Sequence, residues 1–596
     1  MQFPGAIFLL ALTTLAGLCT AGSYPERGER TRSGGNHTWH IDPDKGNDAN
    51  SGSSPAMAWK SMAPANRLLM SPGDTLIIQP GEHTESLVVM GEGSRQAPVT
   101  IRFMPGRHIF KHGGLVTGTP QISNTNDAPK EPKAMAIRLV EAKNVRLEGK
   151  PGATDIMLEG KAIFVCMEHA ENISLNGLGF DYLHPTMGEF LVTEVEGNTM
   201  KATIPDGILY TVKDGALTWH GPGWEFRIGG YAKVFDSASG TFRGDFNPSK
   251  TTIEELSPGK ISITFKEGSP TMQPGQSYQN RNTRRDCCGF FQYRSKNLVW
   301  NNCQIYYMHG MGVVSQFSEN IIFDHLKVAP RPRSLRTTSS WADNLHFSGC
   351  KGKIIVKNSV LGSSHDDAIN VHGTHLRIVG QPAANKITVR FMHGQTFGFD
   401  AFAVGDKIDY VSYNTLIPYA TNTVSGIRQL NDREIELTLR QPNPRNIQPN
   451  DVVENITWTP SVHVSNTVCR HIPTRGFLLT TRQPVLIERC RFEKTGMPAI
   501  LVEDDASGWY ESGVVRNMTI SQNTFIQCGE AVIQIAPHAP SPDGNVHQNI
   551  TITGNAFDLK NGTAIRTRHT GNVKAEKNTF TKDGKTVPED KAVDIR

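Results

Sequence analysis

The 596-residue chain is short of the features that mark several large protein classes. It contains no Cys-X-X-Cys pair, which excludes a zinc ribbon. Its nine cysteines are scattered, so no compact disulfide framework is expected. No block of Lys or Arg stands out and the net charge is only +4, so no nucleic-acid groove is expected. After residue 21 no apolar run is long enough to cross a bilayer. The apolar fraction of 38% is low, whereas 56 Gly and 35 Pro make turns abundant. That balance favours an all-β chain.

The N-terminus has an apolar stretch from Ala6 to Leu18 followed by Cys19-Thr20-Ala21, the pattern of a cleaved secretory signal, although its n-region lacks Lys and Arg. Export is therefore expected, to a periplasmic or extracellular location. Cys303, Cys350, Cys469, Cys490 and Cys528 sit in or beside apolar runs and read as small buried hydrophobes.

A repeat decides the fold class. Asn144, Asn172, Asn297, Asn320, Asn517, Asn549 and Asn572 each open a short alternating apolar strand, as do Lys353 and Pro484. One interval recurs between starts, from 297 to 320 and from 549 to 572. A longer one, from 320 to 353 and from 484 to 517, marks coils that carry an extra loop. A short coil with Asn at its corners predicts a right-handed parallel β-helix. The Asn-X-Ser/Thr sequons mostly coincide with this pattern and read as structural. Two stretches break the repeat with dense alternating strands and tight turns, and are read as inserted antiparallel β-barrels. The expected organisation is a signal peptide at 1–21, an N-terminal cap and first coils at 22–186, a barrel at 187–278, central coils at 279–375, a second barrel at 376–460 and final coils at 461–596. Trp59 to Met70 has helical apolar spacing and is expected to be a short capping helix.

The chemistry is expected within Trp341 to Gly373. The run from Asp343 to Gly349 (DNLHFSG) aligns without a gap on Asp367 to Gly373 (DAINVHG). In a stacked coil this puts Asp343 over Asp367, with Asp366 beside them. Adjacent strands lie about 4.8 Å apart, so the three carboxylates should not all ionise normally, which suits acid/base work on a glycosidic bond. Aligning Ala499 to Asp505 one coil further on, and His309 to Gln316 one coil earlier, adds His309, Gln316, His346, His372, Glu503 and Asp504 as sugar-binding candidates. Trp341, Trp509 and Tyr510 are candidate stacking faces.

One Asp followed a coil later by an Asp-Asp pair resembles the family 28 glycoside hydrolases, but their Gly-His-Gly and Arg-Ile-Lys companions do not follow Asp367. The opening HIDPDKGNDANSG, the run PGDTLIIQPGEHTESLVV, the two insertions, WADNLHF and SSHDDAINVHG together resemble glycoside hydrolase family 110, the exo-acting α-1,3-galactosidases, over nearly the whole chain. That resemblance implies removal of terminal α-1,3-linked galactose with inversion, from oligosaccharides or glycoconjugates such as blood-group B or linear α-galactosyl structures. It implies Asp366 as general acid by analogy with the pair, and Asp343 and Asp367 on the water, with an exchange of Asp343 and Asp366 left open. No cofactor and no metal are expected; homo-oligomerisation stays open. The competing readings are a polygalacturonase-like enzyme, a calcium-dependent lyase whose Asp residues hold the ion, and a non-catalytic carbohydrate-binding protein.

Overall fold

The computed structural model describes residues 24–281 and 284–596; the expected signal at 1–21 lies outside the described residues. Three long sheets run the length of the molecule. Two have 13 strands each, and the third merges with strands of the second insertion into a 21-stranded sheet. Along the repeat the pairings between successive coils are parallel, as in Lys296–Asn301 with Glu319–Asp324, so the architecture is a parallel β-helix. The alternating positions face a continuous lumen. Phe492, Phe525, Phe557 and Phe580 stack there with ring centroids 4.7 to 5.2 Å apart.

The corner asparagines turn the chain. Asn144, Asn172, Asn297 and Asn320 all adopt positive φ between 52° and 57°, a conformation that Asn tolerates better than other side chains. The later three also donate to the asparagine one coil below. Asn172 bonds Asn144 at 3.0 Å, Asn297 bonds Asn172 at 2.9 Å and Asn320 bonds Asn297 at 3.0 Å. Of the sequon asparagines, Asn172 and Asn549 belong to such ladders. Replacing Asn297 with Ala removes two ladder bonds and leaves a Cβ residue in the left-handed region. The expected loss is about 1–3 kcal/mol of unfolding free energy, to be read from the urea midpoint. An unchanged midpoint would mean that the ladder adds nothing.

The first insertion leaves the helix at Met187 and returns at Arg281, where Met187–Glu196 pairs antiparallel with Gln276–Arg281. In place of the barrel expected over 187–278, the pairing is an open seven-stranded sheet plus a separate three-stranded sheet. These share a core of their own around Phe190, Leu217, Trp219 and Ile261. The second insertion grows out of the strand Ile369–Ala383. It pairs through Lys386–Arg390, Glu434–Leu439, Pro418–Gln429, Lys407–Val411 and Val452–Asn455 back to Ile369–Ala383, closing a ring.

Two details differ from the sequence reading. The helix expected over Trp59 to Met70 is a bend, a short 3-10 turn at Ala65–Arg67 and a strand at Leu68–Met70. Pro64 breaks helical continuity, and Asn66 instead ties the turn to Ser86 and Val88 at 2.8 Å each. The run Ala499 to Asp505 lies two coils beyond Ile369, not one. Ile369 pairs with Phe477, and Phe477 pairs with Ile500. The intervening coil starts at Ser461, whose VHVSNTV precedes VLIERCRF by the same interval that separates Asn297 from Asn320. The described cysteines are buried; Cys303, Cys350, Cys469, Cys490 and Cys528 are free thiols inside the lumen or its walls. Cys287 and Cys288 are also buried free thiols, where the chain re-enters the helix from the first insertion.

Candidate active site

The register of the third sheet builds the site. Leu345 pairs with Ile369 and Phe347 with Val371, and the Asn344 amide donates to the Asp367 carbonyl at 2.9 Å. This parallel register puts Asp343 level with Asp367. Continuing the same stack, Ile369 over Phe477 puts Arg475 level with Asp367 on the other side. A carboxylate, a second carboxylate and a guanidinium therefore follow one another at the same corner of three coils.

One carboxylate oxygen from each of Asp343, Asp366 and Asp367 lies within 4.8 Å of the other two. The three face a pocket of about 690 Å³. Asp343 and Asp367 are almost fully buried, whereas the Asp366 side chain is 18% exposed and looks into the pocket. Arg475 donates through Nε to Asp367 Oδ1 at 2.7 Å and through Nη2 to Asp366 Oδ1 at 3.4 Å. Arg285 donates to Asp366 Oδ2 at 2.9 Å. These contacts split the three groups. Burial pushes Asp366 up, but the guanidinium groups of Arg285, Arg475 and Arg281 outweigh it and hold the carboxyl below the usual range. Burial and the neighbouring Asp366 charge push Asp343 well up. Burial also raises Asp367, against the pull of Arg475. The carboxyl that is held low is thus the one that faces the pocket. Among the described residues these three form the only acidic cluster with the spacing of a cation site. Two guanidinium groups already supply the positive charge such a cluster calls for.

The rim is built by segments far apart in sequence. Asp505 accepts backbone N–H bonds from Ser507 at 2.7 Å, Gly508 at 2.9 Å and Tyr510 at 3.1 Å, folding the loop that presents Trp509. Trp509 is 41% exposed and packs on His393 of the second insertion, with centroids 4.2 Å apart and the rings tilted by 35°. Glu511, at the end of this loop, accepts from Asn124 at 2.7 Å and from Asn370 at 3.4 Å. Asn124 arrives from a segment that the Gln316 side chain anchors, accepting from Ser123 N at 2.7 Å and donating to the Gln121 carbonyl at 3.1 Å.

The other residues predicted from sequence divide into two groups. Glu503 and Trp509 line the pocket with the three Asp. His309, Gln316, His346, His372 and Asp504 do not. His309 is enclosed between Thr186 at 2.6 Å and Asp286 at 3.2 Å, and Gln316 is spent on the anchoring just described. Asp504 turns away toward His375, 3.7 Å off, and burial raises it to about 7. His346 and His372 lie behind Asp343, fully enclosed. Trp341 is buried under the Arg281 guanidinium, 4.4 Å from its ring, and Tyr510 is buried as well. Strand alternation assigns such side chains to one face, and they reach the pocket only where no loop covers that face.

Arg285, Arg475, Glu511 and Asn124 are site residues that the sequence does not mark as such. For Arg475 a signal exists: the offset of VHVSNTV from VLIERCRF supplies the missing coil and places TRGFLL on DDAINV. The other three come from loops with no periodic mark.

The fold is thus a parallel β-helix whose rimmed pocket holds an acidic cluster flanked by two arginines. Residues 386–453 match the model of GLAA-B beta-barrel domain II. The chain is 83% identical over its full length, and over the full length of the relative, to alpha-1,3-galactosidase A of Akkermansia muciniphila. It is 37% identical to alpha-1,3-galactosidase A of Bacteroides thetaiotaomicron, covering 79% of this chain and 84% of that one. Among solved structures, the GH136 lacto-N-biosidase of Eubacterium ramulus superposes with a TM-score of 0.36 at 10% identity, covering 94% of this chain and 68% of that one. The chain belongs to the α-1,3-galactosidases of glycoside hydrolase family 110.

Proposed function

We propose that this protein is exported and removes terminal α-1,3-linked galactose from glycans, blood-group B and linear α-galactosyl structures among them, with inversion at the anomeric carbon. The observation that carries the reading is the carboxylate trio at the base of a rimmed pocket in a chain 83% identical to a named α-1,3-galactosidase. A pocket walled by Asn124, Trp509 and Glu511 suits a chain end better than an internal sugar.

Asp366 is the general acid, because it alone of the three is open to the leaving-group oxygen. Asp343 and Asp367 hold the water. Their spacing suits that role, because a water donating to two oxygens at ordinary hydrogen-bond length holds them roughly 4.5 Å apart, within the 4.8 Å limit of the cluster. Guanidinium groups hold Asp366 low while burial holds Asp343 high, so in this reading the cycle starts with one proton passing from Asp343 to Asp366. That single transfer loads the acid and frees the base. Water then gives a proton to Asp343 while its oxygen bonds to the anomeric carbon. The glycosidic C–O bond breaks, and the departing oxygen takes the proton from Asp366. Asp343 is again protonated and Asp366 again ionised, so the resting state is restored.

The reading is tested by a proton NMR time course on a Galα1-3Gal disaccharide. The β anomer of galactose is expected first, with the α anomer growing only as mutarotation proceeds. Initial appearance of α-galactose would rule out inversion, and no galactose at all would remove the activity. The trio is more compact than the roughly 6.5–9.5 Å carboxyl separation usual for inverting enzymes, which makes the anomer the decisive observation.

A further inference from the structure

Behind Asp343 lies a chain of hydrogen bonds that no step above uses. Asp343 Oδ2 is 2.8 Å from Nδ1 of His346, His346 Nε2 is 3.0 Å from Nε2 of His372, and His372 Nδ1 is 2.6 Å from the Gly373 carbonyl. Neither imidazole reaches solvent or the pocket.

The far end fixes the direction of every bond. A carbonyl oxygen only accepts, so His372 Nδ1 carries a hydrogen. A neutral His372 then offers a lone pair at Nε2. The hydrogen between the two rings must therefore sit on His346 Nε2. A neutral His346 in turn offers a lone pair at Nδ1, and the hydrogen in its bond to Asp343 must come from the carboxyl group. We propose that His346 and His372 are positioning residues that hold Asp343 as a neutral carboxyl group, the proton store from which Asp366 is loaded. The inference rests on the roles proposed above for Asp343 and Asp366.

The surroundings agree. Burial lowers His346 to about 4, so it stays neutral, and burial lowers His372 as well. Glu511 is the competing acceptor for His372, but its Oε1 is 3.6 Å from Nε2, beyond hydrogen-bond length, and it already takes the Asn124 and Asn370 amides. The groups facing Asp343 are Asp366 and Asp367 of the next coil, Arg281 and Arg285 at the end of the first insertion, Arg475 one coil further and Glu511 from the rim. Those facing His346 are Asp343, His372, Glu511, Arg285 and Asp366. None supplies His346 Nε2 with another acceptor at the 3.0 Å of His372.

Two variants separate this role from simple packing. His372→Phe leaves His346 Nε2–H without its acceptor, so His346 turns to the tautomer that donates from Nδ1 and favours the Asp343 carboxylate. The alkaline limb of kcat/KM should then move down by about one pH unit or more. His372→Gln offers an amide oxygen to His346 and an amide N–H to Gly373, reproducing the polarity, and should keep the wild-type limb. Coincident limbs in all three proteins would overturn the proposal. Nitrogen-15 NMR of histidine-labelled wild-type enzyme tests it without any variant. His346 should carry its hydrogen on Nε2, and an Nδ1–H tautomer or an imidazolium would overturn it. If the wild-type enzyme releases no galactose from Galα1-3Gal at any pH, it is the proposed function that fails. Galactose release with an unmoved limb refutes the histidine chain alone.

Discussion

Asp366→Asn is expected to cut galactose release from a Galα1-3Gal disaccharide by about three orders of magnitude, with the thermal unfolding midpoint held within a few degrees. The fold should survive because Asp366 is the most exposed of the three carboxylates and asparagine keeps its shape. The loss should be far smaller on an aryl α-galactoside whose leaving group is already a good one, because such a group departs without a proton. Asp343→Asn and Asp367→Asn should be as slow on the aryl substrate as on the disaccharide, since the water still needs its base. Comparable losses on both substrates for Asp366→Asn would take the acid role away from it. Near-wild-type turnover of any one variant would remove that residue from the mechanism.

Arg475→Met is expected to do two things at once. The side chain holds Asp367 at 2.7 Å and reaches Asp366 at 3.4 Å, and Asp367 is almost wholly buried. Removing one partner of a buried charged contact costs about 3 kcal/mol, and turnover should fall by about two orders of magnitude or more as Asp366 and Asp367 both lose a guanidinium. The pH dependence has a definite sign. Burial already raises Asp367 above its unfolded value, so the native state holds its proton more tightly than the unfolded chain does. Stability from this group is present at low pH and is lost as pH rises from the ordinary carboxylate range through the folded value. Without Arg475 the folded value rises further. The gap in urea midpoint between wild type and variant should therefore close toward pH 4 and widen toward pH 8. A gap independent of pH would mean that Arg475 acts on the site by packing alone.

The contrast between Asp343 and Arg475 shows how far the sequence reaches. Asp343 is level with Asp367 because the two short runs that these residues open share one apolar pattern, and in a parallel sheet a shared pattern is a shared register. Arg475 stands at the same corner of the next coil, but a long stretch of chain intervenes, most of it in the second insertion. Leaving the coil at Ser461 uncounted draws Ala499 to Asp505 one coil too close. That error leaves Arg475 out of the site, whereas Asp504 falls outside it because its side chain turns toward His375 while that of Glu503 lines the pocket. His346 and His372 belong to the right stretch but have other neighbours than a sugar, since alternation assigns a face without saying which faces are covered by loops.

The sequence by itself determined the repeat, the parallel β-helix, the corner asparagines, the two insertions and the meeting of Asp343, Asp366 and Asp367. All of these follow from periodic, short-range constraints: the alternation of a strand, the left-handed tolerance of Asn and the coil length. Only the tertiary structure decided which carboxyl of that trio is held low and which are held high. It brought Arg285 from the end of one insertion, Arg475 from beyond another, Asn124 from an N-terminal segment and Glu511 from a rim loop. Loops carry no period, so the distances they bridge are not written in any local pattern. Yet in a buried site those few charged and hydrogen-bonding groups, at about 3 Å, settle which carboxyl keeps its proton.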